Sequence, residues 1–209
     1  MNTLLRRGWH LGLATAALVT MGSAALPVRA DDASSQAVAV LDFNDSKLKE
    51  VAANAQINLS DMLTTVMSNG TGLKVIDKEA VARVKVKDTA WQQSGFADPK
   101  TALNFAKELN VHFVIVGSVS QASQEERESM GITKTKYTVG VEVKAMDDKT
   151  GQIVASATGS GDITSTKIQD AEGVDVAQDT NVQGKWVKAA RKAIDQAGQD
   201  LSKKLLNLK

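Results

Sequence analysis

Two kinds of apolar run alternate along the chain. Ala37 to Phe43 reads AVAVLDF, apolar at successive positions, so neither face of an extended segment is left for water. This predicts a strand buried on both sides. Val111 to Val116, VHFVIV, has the same character and predicts a second central strand, with His112 inside it and in or near the core. Between Glu50 and Met67 the apolar residues Val51, Ala55, Leu59, Met62, Leu63, Val66 and Met67 follow the three-and-four spacing of a helix with one buried stripe. Asn69 and Gly70 are placed to end it as a left-handed cap. Leu73 to Ile76 predicts a short strand, and Asp77 caps a helix running through Val81 and Val84. Asp98 followed by Pro99 is an acidic cap with proline at the first helical position, and the helix it opens ends near Asn110.

Beyond Gly117 the pattern changes. Gln121 to Met130 is polar, with Glu125, Glu126, Arg127 and Glu128 in a row, and is expected to be an exposed loop or ribbon tip. Tyr137, Val139, Val141, Val143 and Ala145 then alternate with Thr138, Gly140, Glu142 and Lys144, which is the period of a strand with one solvated face. The turn DDKTG, Asp147 to Gly151, leads into a partner strand at Ile153 to Thr158 and completes a hairpin. Gly159 to Gly184 is acidic and lacks a clear period, so it is expected to be a long loop. The final helix buries Trp186, Ala189, Ala190, Ala193, Ile194, Ala197, Leu201 and Leu205 on one stripe. The order β-α-β-α-α-β-β-β-α predicts an α/β domain, a single mixed β-sheet with helices packed on it.

The first thirty residues have a different logic. Arg6 and Arg7 precede an apolar run from Leu11 to Leu26, and Val28 and Ala30 put small side chains where a signal peptidase reads them. Export is the expectation, with residues 1–30 a cleaved signal peptide and 31–209 one periplasmic domain. A retained anchor is the alternative, although a run of about 16 residues is short of the roughly 20 needed to span a bilayer. Cleavage removes Arg6, Arg7 and Arg29 and no acid, so 25 basic and 24 acidic residues become 22 and 24. Such a near-neutral domain lacks the basic field that nucleic acid binding requires. With no cysteine in the chain, there is no disulfide and no thiol to carry an N-terminal lipid anchor.

Candidate chemistry is sparse. His112 is the one histidine beyond residue 30, which leaves out zinc sites built from several His or Cys ligands. Ser118 and Ser120 lack a G-x-S-x-G elbow and need a base brought near by folding to act as nucleophiles. The glycine pairs Gly70/Gly72 and Gly159/Gly161 fit neither phosphate-binding pattern and read as caps or strand ends. Asp170, Glu172, Asp175 and Asp179, around Gly173, offer carboxylates to calcium but not at EF-hand spacing; a solvated acidic loop is the simpler reading. No cofactor is expected, and no small-molecule substrate is evident.

Five blocks in order, VAVLDF from Val38, LKVIDKEAVARV from Leu73, QQSGFADPKTA from Gln92, AKELNVHFVIVGSVS from Ala106 and DDKTGQIV from Asp147, resemble those of the curli production assembly and transport family, the CsgG family. The resemblance implies a periplasmic α/β domain. Within that family it points to export channels, holdfast anchors, or small periplasmic relatives such as the activator of a peptidoglycan synthase. A channel would donate two amphipathic hairpins per subunit to a membrane β-barrel. The candidate insertions here, Val119 to Tyr137 and Gly161 to Gly184, are too charged and too poor in aromatics to face lipid. The resulting expectation is a non-enzymatic accessory in the assembly or secretion of curli-like surface material at the outer membrane. It would act through protein contacts, with a homo-oligomer as one form of them and regulation of an envelope enzyme as the alternative. Ser94, Gly95 and Phe96 fall in a segment that the resemblance exposes to partners, and Trp91 is an aromatic suited to anchoring an interface. An inter-helix turn and a helix-packing tryptophan are their plain structural alternatives.

Overall fold

The computed structural model describes residues 37–69, 72–87, 99–169, 175–178 and 181–208. The elements are β1 (Ala37–Asn44), α1 (Ser46–Val51), α2 (Leu59–Ser68), β2 (Lys74–Val75), α3 (Lys78–Lys87), α4 (Pro99–Leu109), β3 (Phe113–Ser129), β4 (Ile132–Asp147), β5 (Ile153–Gln169), β6 (Asp175–Gln178) and α5 (Val182–Leu206). They form an α/β fold on one mixed sheet of order β2-β1-β3-β4-β5-β6. β1 runs parallel to β2 and β3, and the β3 to β6 part is antiparallel.

The two fully apolar runs are the strands with helices on both faces. Val38 and Val40 of β1 and Phe113 and Ile115 of β3 enter a core closed by α1, α2 and α5. Ala37, Ala39, Leu41 and Val114 point the other way, to a second core with Val81 and Val84 of α3 and Ala102, Phe105 and Ala106 of α4. β4 keeps its predicted alternation. Tyr137, Val139, Val141, Val143 and Ala145 are buried on the α5 side, while on the opposite face Lys144 pairs with Glu142 at 3.1 Å.

Several elements differ from the expectation. The predicted helix from Glu50 to Met67 is two helices, because Asn58 starts a new one: its side chain accepts the Asp61 N–H at 3.1 Å and the Ser60 hydroxyl at 2.8 Å. Val51, placed on the buried stripe by periodicity, is exposed. Asn69 is extended, with φ −87° and ψ 98°, so it forms no left-handed cap, and Gly70 lies outside the described residues. The expected loop beyond Gly159 is in large part strand, with β5 running on to Gln169 and β6 pairing with it. Ile163, Thr164, Thr166 and Ile168 favour extension, but both faces are partly solvated there, so no apolar alternation marks the strand.

The pair Gly159 and Gly161 is not a cap or strand end either. Both sit inside β5 where α5 crosses it, and a methyl group at either would meet the main-chain oxygen of Ala193 at 1.9 Å or of Ala189 at 2.1 Å. Glycine here lets the helix axis approach the sheet, with Ala189, Ala193 and Ala197 as the facing residues.

Candidate functional site

Of the two forms expected for Gln121 to Met130, a loop or a ribbon tip, the structure has the ribbon, which continues the sheet. β3 and β4 remain paired to Ser129 and Ile132, and β4 and β5 to Ile132 and Ile168. At the strand rise, 17 residues of β3 span about 55 Å. Roughly its last third carries no apolar core on either face. The turn is made by Met130 and Gly131, both at positive φ, and Met130 is 99% exposed.

The register fixes what each face of this ribbon presents. One face holds Glu125, Lys136 and Thr164 side by side, then Arg127, Lys134 and Thr166, and at the tip Ser129, Ile132 and Ile168. The other begins with Gln124, Tyr137 and Ile163 and continues with Glu126, Thr135 and Ser165, then Glu128, Thr133 and Lys167. Tyr137 anchors the base by packing edge-on against Trp186, with ring centroids 5.3 Å apart. Burial, aided by the nearby Glu126 carboxylate, pushes its hydroxyl above the ordinary 10.0. Lys47 of α1 donates to the Ser120 carbonyl at 2.8 Å, holding the bulge between Val119 and Gln121 where the ribbon leaves the domain.

A second cluster lies at the opposite end of the same strands. His112 precedes β3 instead of lying within the strand as expected, and its side chain, partly exposed at the margin of the core beside Phe113, is directed at the β4–β5 turn. Its Nδ1 is 3.0 Å from Asp148 Oδ1 and its Nε2 3.9 Å from Asp147 Oδ2. Asp147 organises the turn: Oδ1 accepts the Lys149 N–H at 3.0 Å, the Thr150 N–H at 2.8 Å and the Thr150 hydroxyl at 2.9 Å. Burial alone would raise this carboxyl, but the Thr150 and Lys149 hydrogen bonds, with His112, outweigh it and hold Asp147 below the usual 3.8.

Ser118 and Ser120 are not brought to His112. Ser118 stands six positions further along the extended chain, about 20 Å away. Trp91, Ser94, Gly95 and Phe96 lie outside the described residues, as do Asp170, Glu172 and Asp179 of the proposed calcium loop; Asp175 begins β6. Among the described residues no helix is long and apolar enough to cross a membrane, which says nothing of strands.

A mixed sheet with helices on both faces of its parallel half, extended by a polar antiparallel ribbon, defines an α/β domain. The chain belongs to the CsgG family: the model for "Curli production assembly/transport component CsgG" matches residues 25–209. It is thus a protein of the cell envelope. No protein of curated function matches the sequence. Among solved structures it is similar to the LpoB C-terminal domain from Escherichia coli, at 14% identity and TM-score 0.40 over 61% of this chain and 83% of that one. It is also similar to the PelC dodecamer from Paraburkholderia phytofirmans, at 14% identity and TM-score 0.38 over 77% and 83%.

Proposed function

We propose that residues 1–30 export the chain and that 31–209 works in the periplasm, without catalysing a reaction, as a homo-oligomeric accessory in the assembly or secretion of curli-like surface material at the outer membrane. Membership of a family of curli assembly and transport components carries this reading. The ribbon supports an accessory over a pore. Its strands have the length to span a bilayer, but beyond the core both faces alternate charged and hydroxyl side chains, Glu125, Arg127, Lys134 and Lys136 on one and Glu126, Glu128 and Lys167 on the other. Burying such residues in hydrocarbon costs about 2–4 kcal/mol for each Lys or Arg at the midplane. In water the same ribbon is a contact surface with an open strand edge along Gln121 to Ser129, which β1 does not reach, since its pairing with β3 stops at Ser118.

Partner contacts are further assigned to Trp91, Ser94, Gly95 and Phe96. Light scattering on the purified mature protein tests the reading, with an assembly of several subunits expected. A strict monomer would overturn the secretion role and favour regulation of an envelope enzyme such as a peptidoglycan synthase. In the expected assembly, Trp91→Ala and Phe96→Ala should lower the number of subunits without moving the melting midpoint.

A further inference from the structure

We propose that the tip of the β3–β4–β5 ribbon docks on the surface of an anionic phospholipid bilayer, with Met130, Ile132 and Ile168 at the edge of the acyl region and Arg127 and Lys134 among the lipid phosphates. This contact is independent of any role in assembly.

The tip is apolar where water alone would select polar residues. Met130 is 99% exposed, and Ile132 and Ile168, paired in the row behind it, are 38% and 43% exposed. The turn also departs from the chemistry its backbone favours. Met130 and Gly131 have φ of 51° and 73°, and a two-residue hairpin turn of this kind prefers Asn or Asp before the Gly. A methionine held at positive φ with its side chain wholly in water packs against nothing that would offset the strain.

The second support is charge. Arg127 stands directly opposite Lys134 on the face that carries Ile132 and Ile168, with Lys136 in the next row, and all three cations are exposed. Like charges directly opposite across strands are destabilising. Glu125, 4.0 Å from Arg127, is the one carboxylate on these rows, so the face holds a net charge of +2. These side chains and Thr164 line a concavity of about 250 Å³. Glu126 and Glu128 are on the opposite face, which a ribbon tilted onto its basic face turns to water.

The third is spacing. Successive rows on one face are two residues apart, about 7 Å. The headgroup layer on each side of a bilayer is about 5–7 Å thick. With Met130 and Ile132 at the acyl boundary, Arg127 and Lys134 lie level with the phosphates, where an anionic surface attracts each basic residue. No charged side chain enters the hydrocarbon, so the cost that opposes a spanning strand is not incurred. An anionic bilayer supplies, at this one separation, both the apolar layer that the tip lacks and the negative charge that the paired cations lack.

Co-sedimentation of the purified mature protein with lipid vesicles tests the proposal. Binding is expected to equimolar phosphatidylglycerol and phosphatidylcholine, at least about tenfold weaker to phosphatidylcholine alone, and largely reversed by high salt. Arg127→Gln and Lys134→Gln should each weaken it about fivefold, which corresponds to about 1 kcal/mol per basic residue. Met130→Asn should weaken it at least about fivefold while leaving the melting midpoint unchanged or higher, because Asn suits the turn; lost contact is thereby separated from lost folding. Asp170→Asn combined with Glu172→Gln, which removes acids that follow β5 in the chain, should not weaken it. Since the chain has no cysteine, Met130→Cys accepts a single polarity-sensitive fluorophore, whose emission should shift to the blue on the anionic vesicles. The same label at Lys149→Cys, in the β4–β5 turn at the far end of the strands, should show no shift. Equal binding to neutral vesicles, wild-type affinity in the Arg127 and Lys134 variants, or no shift at position 130 would each overturn the proposal. A changed subunit number for Met130→Asn without vesicle binding by the wild type would overturn it in favour of a protein contact at the tip. An assembled protein that ignores vesicles fails this proposal alone, and a monomer that binds them fails the assembly reading alone.

Discussion

Adding a single methyl group at Gly159 should destabilise this domain far more than its chemistry suggests. The Cβ of Gly159→Ala would lie 1.9 Å from the Ala193 carbonyl oxygen and 2.9 Å from the Ala197 nitrogen, both main-chain atoms of α5. A close carbon–oxygen contact needs about 3.3 Å, so α5 must retreat by about 1.4 Å. A radial gap of 0.5–1 Å already forfeits about a quarter to a half of each contact's attraction, and α5 seats Trp186, Ala189, Ala190, Ala193, Ile194, Ala197 and Leu201, all 1% exposed or less. Overpacking typically costs about 1–3 kcal/mol, and a collision with a rigid helix backbone belongs at the upper end, near 3 kcal/mol. In a domain of this size that corresponds to a fall in melting midpoint of roughly 6–12 °C. Urea unfolding followed by far-ultraviolet circular dichroism measures it. Ser160→Ala, which changes an exposed side chain, is the neutral control, since it is the Ser160 main-chain N–H that donates to Gln196 at 3.0 Å. Ala193→Gly should not rescue Gly159→Ala, because the obstructing atom is main chain. A loss below about 0.5 kcal/mol for Gly159→Ala would refute the close helix-to-sheet approach.

Gly117 makes the contrasting case: a Cβ there would strike the Phe43 ring at 2.3 Å, so Gly117→Ala should be destabilising alone and substantially relieved in combination with Phe43→Ala, as a double-mutant cycle by urea unfolding will show. Trp186→Ala, at a site 1% exposed beneath Tyr137, should cost about 3–5 kcal/mol on the same assay. Asp147→Ala should cost about 0.5–1.5 kcal/mol at neutral pH through the turn hydrogen bonds it removes, since the freed N–H groups are exposed to water. Because the folded-state pKa of Asp147 is depressed below 3.8, its contribution is present above that pH and is lost as pH falls through the folded value. Urea midpoints of wild type and Asp147→Asn should therefore converge below about pH 3.8.

The central strands could be read directly from the chain. Buried on both faces, β1 and the first half of β3 are written as unbroken apolar runs, and β4 announces its single buried face by strict alternation. The stripe on α5 and the Asx turn at Asp147 are equally local. Pattern fails where water, not the core, lies on both sides of an element. The outer parts of β3 and β5 are strands because of backbone bonds to β4, and hydrophobicity carries no trace of a partner's N–H groups. The break at Asn58 shows the opposite error, a three-and-four count continued across a capping residue.

The resemblance of five short blocks, in order, was enough to point to the family, since these belong to the linear chain. Only the tertiary structure decided that Gly159 and Gly161 seat a helix and that His112 leaves the strand for two carboxylates some 35 residues away. Both depend on distances between segments remote in sequence, and those are set by how α5 and the β4–β5 turn pack on the sheet.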